Sequence, residues 1–245
     1  MAIASKKVRI AAVGDIHCTK TSQGQLKPLF EQMSKHADII LLCGDLTDYG
    51  LPEEAQVLAK ELQAATVPIV VVFGNHDYES GHESDIKQIL TDAGVTVLDG
   101  DGCEIEGVGF AGVKGFAGGF GRKGLSSHGE QAIKRFVQEA VEEVQKLETA
   151  LARLKTSTRV VLLHYAPLAS TIEGEPLEIF PFLGSSRLED PLNRYGVIAA
   201  FHGHAHAGNP EGRTSENIPV YNVSLPLMRE TKPNNLPFRL IEVSC

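Results

Sequence analysis

Five short apolar runs, each followed directly by polar residues, limit the folds open to this chain. The runs are rich in Val, Ile and Leu, and each is long enough for a buried strand but too short for a typical helix. They cover residues 8–13, 38–43, 69–73, 160–163 and 197–201. Such runs are typical of the buried strands of an α/β fold.

The polar residues that end these runs share a chemical character, because most of them can bind metal ions. In chain order they form the blocks Asp15-Ile16-His17, Gly44-Asp45, Gly74-Asn75-His76-Asp77, His164 and Gly203-His204-Ala205-His206. Ligands of open α/β sheets bind at the carboxyl ends of the strands, so the blocks are predicted to converge on one site. Each block alone is also compatible with an ordinary strand-end turn or a hydrogen-bonded structural histidine.

Helical patterns alternate with the first three runs, which predicts right-handed crossovers between parallel strands. Helices are expected over residues 26–36, 52–63 and 84–92, and Gly94 is suited to ending the last of them. Residues 96–112 contain short strands and glycine turns, and are interpreted as a meander at a sheet edge or in a second sheet. The sequence shows no internal repeat or linker, so residues 1–245 are predicted to form a single domain.

Three later segments complete the predicted organisation. Residues 127–154 carry an apolar stripe at helical spacing, and this helix is expected to pack on a sheet or, through an exposed part, to form a homodimer interface. The glycine-rich segment 115–124 matches no nucleotide-binding loop. It either brings Arg122 and Lys123 near a phosphate or is a plain surface loop. Residues 167–191 are expected to form loops at the mouth of the site.

Charge and hydropathy exclude several kinds of partner. The 245 residues carry a net charge of −8 and no block rich in Lys and Arg, which argues against a broad nucleic-acid surface or binding to anionic membranes. A small phosphorylated substrate stays compatible with this charge, because bound cations oppose it locally. No apolar run approaches the roughly 20 residues of a membrane span, and residues 1–9 lack the apolar core of a signal peptide.

The cysteines indicate the compartment. The four cysteines show no C-x-x-C spacing, which favours a reducing environment, and the cytoplasm is the simplest location. Cys18 and Cys43 adjoin predicted site residues, so a redox role stands beside the simpler interpretation as small buried side chains.

The types of donor narrow the choice of metal. Carboxylate, amide oxygen and imidazole donors without thiolate favour Mn²⁺, Fe, Zn²⁺ or Mg²⁺ over a structural cysteine-type zinc site. Asp45 is the candidate for a carboxylate that bridges two cations. Asn75 offers a neutral oxygen ligand, and His76 beside it is a candidate acid.

The ordered set D-x-H, G-D, G-N-H-D, H and G-H-x-H resembles the signature of the calcineurin-like metallophosphoesterases, and no block is missing. The resemblance implies a four-layer α/β/β/α sandwich and two divalent metal ions, with Mn or Fe favoured. It assigns one metal to Asp15, His17, Asp45 and His206, and the other to Asp45, Asn75, His164 and His204. It also implies His76 as the catalytic acid. Asp77 is expected to orient His76, and Asp48 is expected to support the site from behind the ligands.

Departures from the pattern narrow the branch of the superfamily that the chain resembles. Protein Ser/Thr phosphatases carry a phosphate-binding Arg directly after the second Asp of G-D-x-x-D, whereas Tyr49 follows Asp48 here. Purple acid phosphatases have a ligand Tyr three residues after the bridging Asp, where this chain has Asp48. The chain is therefore most similar to the small bacterial-type phosphodiesterases.

The leading functional hypothesis is a dinuclear metal-dependent phosphoesterase. It would hydrolyse a small phosphodiester, such as a cyclic nucleotide or a nucleotide diester, by attack of a metal-bridged hydroxide. A phosphomonoesterase acting on nucleotides or sugar phosphates is the second enzyme hypothesis. A non-catalytic interaction scaffold is the alternative from a different class, although the complete set of ligand positions argues against it.

Overall fold

The first three apolar runs form neighbouring parallel strands of one sheet. The computed structural model describes residues 6–231 and 236–245. In these residues the first sheet consists of β1 (Lys7–Val13), β2 (Ile39–Cys43), β3 (Ile69–Val72), β4 (Thr96–Val97) and β11 (Arg239–Ser244). The strand order is β11-β1-β2-β3-β4, with β11 antiparallel to β1 and the other neighbours parallel.

The last two apolar runs belong to a second sheet. It consists of β5 (Asp101–Ile105), β6 (Val108–Gly112), β7 (Thr158–Leu162), β8 (Ala199–His202), β9 (Glu211–Arg213) and β10 (Pro219–Asn222). The order is β5-β6-β7-β8-β10-β9, and the four inner strands are parallel while both edge strands pair antiparallel. The sequence left open whether residues 96–112 lie at a sheet edge or in a second sheet, and they do both. β4 is the edge strand of the first sheet, and the β5–β6 hairpin forms the first two strands of the second sheet.

Helices cover the outer faces of the two sheets. The helices are α1 (Lys27–His36), α2 (Pro52–Leu62), α3 (Glu83–Asp92), α4 (Gln131–Arg153), α5 (Phe180–Leu183), α6 (Glu189–Arg194) and α7 (Leu225–Thr231). Phe30 of α1, Leu58 of α2 and Ile86 of α3 pack on the outer face of the first sheet. Leu147 and Leu151 of α4 pack on the outer face of the second.

The two sheets bury their inner faces against each other. Ile10, Leu41 and Val70 of the first sheet share one core with residues of the second, among them Phe110 and Phe201. The central strands are thus buried on both faces, which explains why they appear in the sequence as continuous apolar runs. The predicted four-layer α/β/β/α sandwich is confirmed.

The longest helix begins later than the sequence pattern suggested. The apolar stripe predicted a helix from residue 127, whereas α4 begins at Gln131. Gly129 has a φ of +95°, and Glu130 has extended backbone angles. A left-handed residue followed by an extended one cannot continue an α-helix, so the chain enters the helix only after Glu130. The rest of the stripe packs on the second sheet as expected.

None of the helices in the described part of the chain combines the length and the apolar character that crossing a bilayer requires. The expectation that residues 1–9 lack the apolar core of a signal peptide concerns a segment of which only residues 6–9 are described.

A buried carboxylate from α2 caps the start of α1. Leu26 is the residue before α1, and its apolar side chain accepts no hydrogen bond from the N–H groups at the helix start. Instead, the Glu61 carboxylate accepts hydrogen bonds from the backbone N–H groups of Gly24 (2.7 Å), Leu26 (3.0 Å) and Lys27 (3.1 Å). These groups would otherwise lack partners at the helix start, so Glu61 joins the two helices.

Replacing Glu61→Gln should lower the free energy of unfolding by about 1–3 kcal/mol at pH 7, because a charged acceptor of three N–H groups is lost. Burial alone would raise the pKa of Glu61, but these hydrogen bonds outweigh it and lower the pKa below the ordinary 4.5. The stabilisation is therefore complete above the unfolded-state pKa and is lost as pH falls through the folded-state pKa. Urea titrations of the metal-free wild type and variant measure this difference as a function of pH.

The matched control for this prediction is Glu31→Gln, on the exposed face of α1. It should change the free energy of unfolding by no more than about 0.5 kcal/mol. A difference between wild type and Glu61→Gln that stays constant from neutral to strongly acidic pH would contradict the proposed cap.

Candidate metal centre

The five polar blocks meet at one edge of the sandwich, where strands from both sheets end. Three of the blocks follow β1, β2 and β3 of the first sheet, and two follow β7 and β8 of the second. Backbone hydrogen bonds tie the endings together: Asp15 N–H donates to Gly44 O (2.9 Å), and Leu163 N–H donates to Phe201 O (2.8 Å). The predicted convergence on one site is what the structure shows, although the site lies between two sheets.

Four of the predicted ligands have a left-handed backbone conformation. Asp15 (φ +56°), His17 (φ +42°), Asp45 (φ +47°) and His204 (φ +69°) make up most of the non-glycine residues with positive φ in the described ranges. This conformation is unfavourable for residues with a Cβ atom, and it persists only where surrounding contacts enforce it. Strained residues concentrated at one site indicate a functional site.

Two glycines let the carboxylates approach the neighbouring turns. A Cβ atom on Gly74 would lie 2.1 Å from Asp45 Oδ1, and one on Gly203 would lie 2.3 Å from Asp15 Oδ2. Both distances are far below van der Waals contact. Any other residue at these positions would push the carboxylate out of the cleft.

The first group of donors consists of Asp15, His17 and His206, whose ligand atoms all lie within 4.8 Å of one another. His206 Nε2 lies 3.1 Å from Asp15 Oδ1. His17 Nε2 is buried and has no hydrogen-bond partner. A buried imidazole nitrogen without a partner is costly, and a bound cation would remove that cost.

The second group consists of Asp45, His164 and His204, again with all ligand atoms within 4.8 Å. His164 is fully buried, and its Nε2 atom lies 2.9 Å from Asn75 Oδ1 and 3.4 Å from Asp45 Oδ1. An amide oxygen, a carboxylate and two imidazoles therefore surround one small volume.

Asp45 connects the two groups, because its two oxygens point in different directions. Oδ1 lies near His164 of the second group, whereas Oδ2 lies 3.8 Å from His17 Nε2 of the first. The carboxylate is almost completely buried, with 1% of the residue surface exposed. This placement is the one that a bridging ligand between two cations needs.

Hydrogen bonds on the outer side of three imidazoles fix which nitrogen faces the cleft. His17 Nδ1 pairs with Asp48 Oδ1 (3.2 Å), and His164 Nδ1 pairs with Cys43 O (3.1 Å). His204 Nε2 pairs with Phe182 O (3.2 Å). Carboxylate and carbonyl oxygens only accept, so these nitrogens carry the hydrogen, and the opposite nitrogens of His17 and His204 keep a free lone pair. His164 Nε2 instead lies 2.9 Å from the Asn75 amide oxygen, an approach of two ligand atoms that a shared cation would accommodate. This arrangement is typical of metal-binding histidines, and the residues fit a dinuclear metal site.

The charge states of the donors also suit cations. Burial lowers the pKa of His204 to about 3, so its imidazole is neutral and available as a ligand. Burial alone would raise the pKa of Asp15, but the hydrogen bond with His206 and the nearby His164 outweigh it and lower the pKa. Asp15 is therefore anionic at neutral pH.

A model of the calcineurin-like phosphoesterase family matches residues 8–208 of the chain. This range contains every predicted ligand and covers most of the sequence. The chain belongs to the calcineurin-like phosphoesterase family. The resemblance drawn from the motif blocks is thereby confirmed, and the chain is a member of a family of dinuclear metal-dependent phosphoric ester hydrolases. No curated protein matches the chain.

Solved structures share the fold of this phosphoesterase. One is the phosphopantetheinyl hydrolase of Mycobacterium tuberculosis, with a TM-score of 0.67 and 15% identity over 95% of each chain. Another is TT1561 of Thermus thermophilus, with a TM-score of 0.57 and 13% identity over 98% of this chain and 99% of the other. At these identities the likeness shows the fold alone.

His76 of the phosphoesterase lies beside the metal-binding groups and is held from its outer side. Its Nδ1 atom lies 2.6 Å from Asp48 O, and its Nε2 atom lies 4.0 Å from Asp45 Oδ2. Burial alone would lower the pKa of His76, but the hydrogen bond with Asp48 O and the neighbouring carboxylates outweigh it and raise the pKa. Because the carbonyl only accepts, Nδ1 carries a hydrogen and Nε2 is the atom that faces the cleft.

The expected role of Asp77 needs correction. Its fully buried carboxylate makes no hydrogen bond to His76. It accepts hydrogen bonds from the backbone N–H groups of Leu46 (3.2 Å), Thr47 (2.8 Å) and Gly74 (2.8 Å), and from the Thr47 hydroxyl (2.6 Å). Asp77 thus joins the Asn75-His76 turn to the turn after Asp45, and Asp48 orients His76. Burial, followed by the nearby Asp45 carboxylate, raises the pKa of Asp77.

Two buried polar residues of the phosphoesterase support the last ligand block and were not identified from the sequence. Asn222 Nδ2 and the Ser224 hydroxyl both donate to Ala205 O, at 2.7 Å and 3.1 Å. They fix the residue between His204 and His206. A signal was present, because Asn222 also ends an apolar run, residues 218–221, but it was not recognised.

The two cysteines beside the metal centre have the character of buried side chains. Burial raises the pKa of Cys18 to about 12 and the pKa of Cys43 well above its ordinary value. Both are therefore thiols at neutral pH, whereas reactive cysteines need thiolate. The simpler interpretation from the sequence is favoured over a redox role.

Proposed function

We propose that this phosphoesterase is a phosphodiesterase that hydrolyses a small phosphodiester with two divalent cations. The observation that carries the proposal is the placement of Asp45 between two groups of donors, with His76 at its side. One cation would be held by Asp15, His17, Asp45 and His206. The other would be held by Asp45, Asn75, His164 and His204.

The protein residues divide the work of such a reaction. When bound, the two cations would lower the pKa of a water molecule and neutralise charge on the phosphoryl oxygens. Asp45 would give one carboxylate oxygen to each of the two cations. His76, protonated at Nε2, would give its proton to the leaving oxygen as the ester bond breaks. The hydrogen bond between His76 Nδ1 and Asp48 O keeps Nε2 directed into the cleft.

The side chains that carry charge in the cleft favour a phosphodiester substrate over a phosphomonoester substrate. Within residues 6–231 and 236–245, no lysine or arginine side chain forms a hydrogen bond or ion pair with a predicted ligand. A phosphodiester carries one negative charge at neutral pH, whereas a monoester carries close to two. A site without a lysine or arginine side chain, in which His76 is the protein group that can carry a positive charge, is better matched to the smaller charge.

Several further properties are part of the same proposal. The native cations would be Mn or Fe, since carboxylate, amide and imidazole donors suit them. A single domain over residues 1–245, a cytoplasmic location and a small phosphorylated substrate remain predictions. A homodimer formed through α4 and the absence of membrane and broad nucleic-acid contacts also remain predictions.

A pair of chromogenic substrates tests the reaction. Bis(p-nitrophenyl) phosphate and p-nitrophenyl phosphate release the same phenolate, so intrinsic leaving-group ability is equal. For the Mn²⁺-loaded protein we expect the kcat/KM of the diester to exceed that of the monoester by about tenfold or more. A preference for the monoester would identify a phosphomonoesterase. No turnover of either compound by protein that binds two metals would contradict a hydrolase.

A further inference from the structure

Tyr165 follows the predicted ligand His164 directly, and its ring contacts two ligand imidazoles. The ring centroid of Tyr165 lies 4.5 Å from that of His204 and 5.5 Å from that of His164. The two imidazole centroids are 4.7 Å apart. All three separations lie in the range in which aromatic rings attract each other. A residue outside the proposed ligand sets therefore packs on both histidines of the second group of donors.

A turn after β7 brings the rings of His164 and Tyr165 to the same neighbour. In a strand, successive side chains point to opposite faces, and successive N–H groups point in opposite directions. β7 ends at Leu162, and the N–H groups of His164 and Tyr165 both donate to Lys114 O, each at 3.0 Å. The shared acceptor shows that the chain turns at these two residues. Both rings consequently reach His204.

The Tyr165 ring is itself held by Lys114 and by the start of the glycine-rich segment. Lys114 Nζ lies 5.4 Å from the ring centroid, within the range of a cation–π contact, and it donates to Gly115 O at 2.9 Å. The Phe116 ring lies 5.8 Å from the Tyr165 ring. Only 8% of the Tyr165 surface is exposed. The ring is thus packed from more than one side.

The imidazole of His204 needs a contact of this kind, because its hydrogen bond does not fix the plane of the ring. Its Nε2 atom pairs with Phe182 O at 3.2 Å. Nε2 lies near the axis of the Cβ–Cγ bond, so rotation about that bond would change this contact little. The same rotation would turn Nδ1, the atom left for a cation, away from the other donors. Contacts behind the ligands that fix ring orientation are therefore important for metal affinity.

We propose that Tyr165 is a positioning residue of the second group of donors. Its ring blocks rotation of the His204 imidazole and packs against His164, so that both histidines keep their ligand nitrogens directed at one cation. Tyr165 acts only through the two histidines. The inference rests on the metal centre of the proposed function, but it does not depend on the reaction that this centre catalyses.

Two substitutions of Tyr165 test the inference by calorimetric titration of the metal-free protein with Mn²⁺. Tyr165→Leu removes the ring, and we expect the Kd of the second-group cation to rise about 10–100-fold, while the other Kd changes less than about twofold. Tyr165→Phe retains the ring and should retain both wild-type Kd values. His204→Ala removes a ligand and so identifies which Kd belongs to the second group. If Tyr165→Leu does not fold, Tyr165→Met should raise the same Kd.

Electron paramagnetic resonance gives a second readout, which a loss of stability alone would not change. Two Mn²⁺ ions bridged by Asp45 would be spin-coupled, whereas a single bound ion gives an uncoupled signal. After removal of free Mn²⁺, we expect the coupled signal in the wild type and in Tyr165→Phe. The uncoupled signal should replace it in Tyr165→Leu.

The matched control is Tyr221→Leu. Tyr221 is 9% exposed, its ring lies 5.3 Å from that of Phe201, and the Arg239 guanidinium lies 4.0 Å from its centroid. It thus resembles Tyr165 in burial and in its aromatic and cationic contacts, but within residues 6–231 and 236–245 its ring pairs with no predicted ligand. Tyr221→Leu should lower the Tm of the metal-free protein while keeping both Kd values and the coupled signal.

Several outcomes would overturn the inference, and they differ from those that concern the proposed function. Wild-type Kd values and a coupled signal in Tyr165→Leu would overturn it. An equal loss of Mn²⁺ affinity in Tyr165→Phe or in Tyr221→Leu would do the same. A wild-type protein that binds fewer than two Mn²⁺ ions would reject the proposed metal centre itself. Two bound ions without turnover of any ester would reject the phosphodiesterase, while the expected Kd values of the variants would still support the role of Tyr165.

Discussion

Asp45→Asn is expected to reduce the metal content from two ions to one or fewer per chain and to lower kcat/KM by about 10³-fold or more. The substitution keeps the shape of the side chain but removes its charge and one acceptor oxygen. Asp45 Oδ1 faces His164 and Oδ2 faces His17, so one change disturbs both groups of donors. Elemental analysis after growth and purification without chelators, together with a diesterase assay, measures both effects.

A stability measurement separates the loss of metal from the loss of fold. The Asp45 carboxylate is buried, and its removal leaves no unpaired buried charge, so metal-free Asp45→Asn should unfold at a Tm close to that of the metal-free wild type. Added Mn²⁺ should raise the Tm of the wild type, because cations bind the folded state, and should raise the Tm of the variant much less. Asp92→Asn, at the exposed end of α3, should behave as wild type. Two tightly bound ions in Asp45→Asn would show that Asp45 is not the bridge.

The sequence predicts the location of this site because the fold and the ligands share one signal. Strands buried on both faces are continuous apolar runs, and the polar residue after such a run lies at the carboxyl end of the strand. Asp15, Asp45 and Asn75 follow runs of this kind, as do His164 and His204. The five places could therefore be identified before any contact was known.

The apolar runs do not predict which strands pair with each other. An apolar run records that a strand is buried but not which strand lies beside it. The metal centre lies between two sheets, with His164 and His204 on the second, and this arrangement followed from the family resemblance alone. The start of α4 was misplaced for a similar reason, because the apolar stripe does not record the left-handed Gly129 that precedes the helix.

Roles that depend on backbone atoms are the hardest to predict from the sequence, because every residue carries the same backbone groups. The carbonyl of Phe182 orients His204, and any residue at that position carries a carbonyl. The same holds for Asp48, whose backbone oxygen rather than its carboxylate orients His76. The sequence predicts that Asp77 orients its neighbour His76, yet the two side chains form no hydrogen bond. Its carboxylate reaches the backbone of Thr47 instead.

His76→Ala is expected to lower kcat by about 10² to 10⁴-fold for phosphodiesters with an alkoxide leaving group, since such groups need a proton as they depart. The effect should be much smaller when p-nitrophenolate leaves, because this anion is stable without a proton. A ligand atom of His76 lies within 4.8 Å of ligand atoms of His17 and Asp45, but neither proposed set of four ligands requires it, so the variant should keep two metals per chain. Rates on an alkyl diester and on bis(p-nitrophenyl) phosphate, measured with metal analysis, give the comparison.

The dependence on the leaving group is what distinguishes an acid from a structural residue. If the His76 side chain only supported the turn after β3, its removal would change that turn, and both substrates would slow equally. The contact of 2.9 Å between the His76 N–H and Asp45 Oδ1 comes from the backbone. That backbone contact is retained in His76→Ala, so the geometry of Asp45 is preserved. His36→Ala, at the half-buried C-terminal end of α1, should leave both rates unchanged. Equal losses on the two substrates, or turnover of the alkyl diester at the wild-type rate, would remove His76 from the role of proton donor.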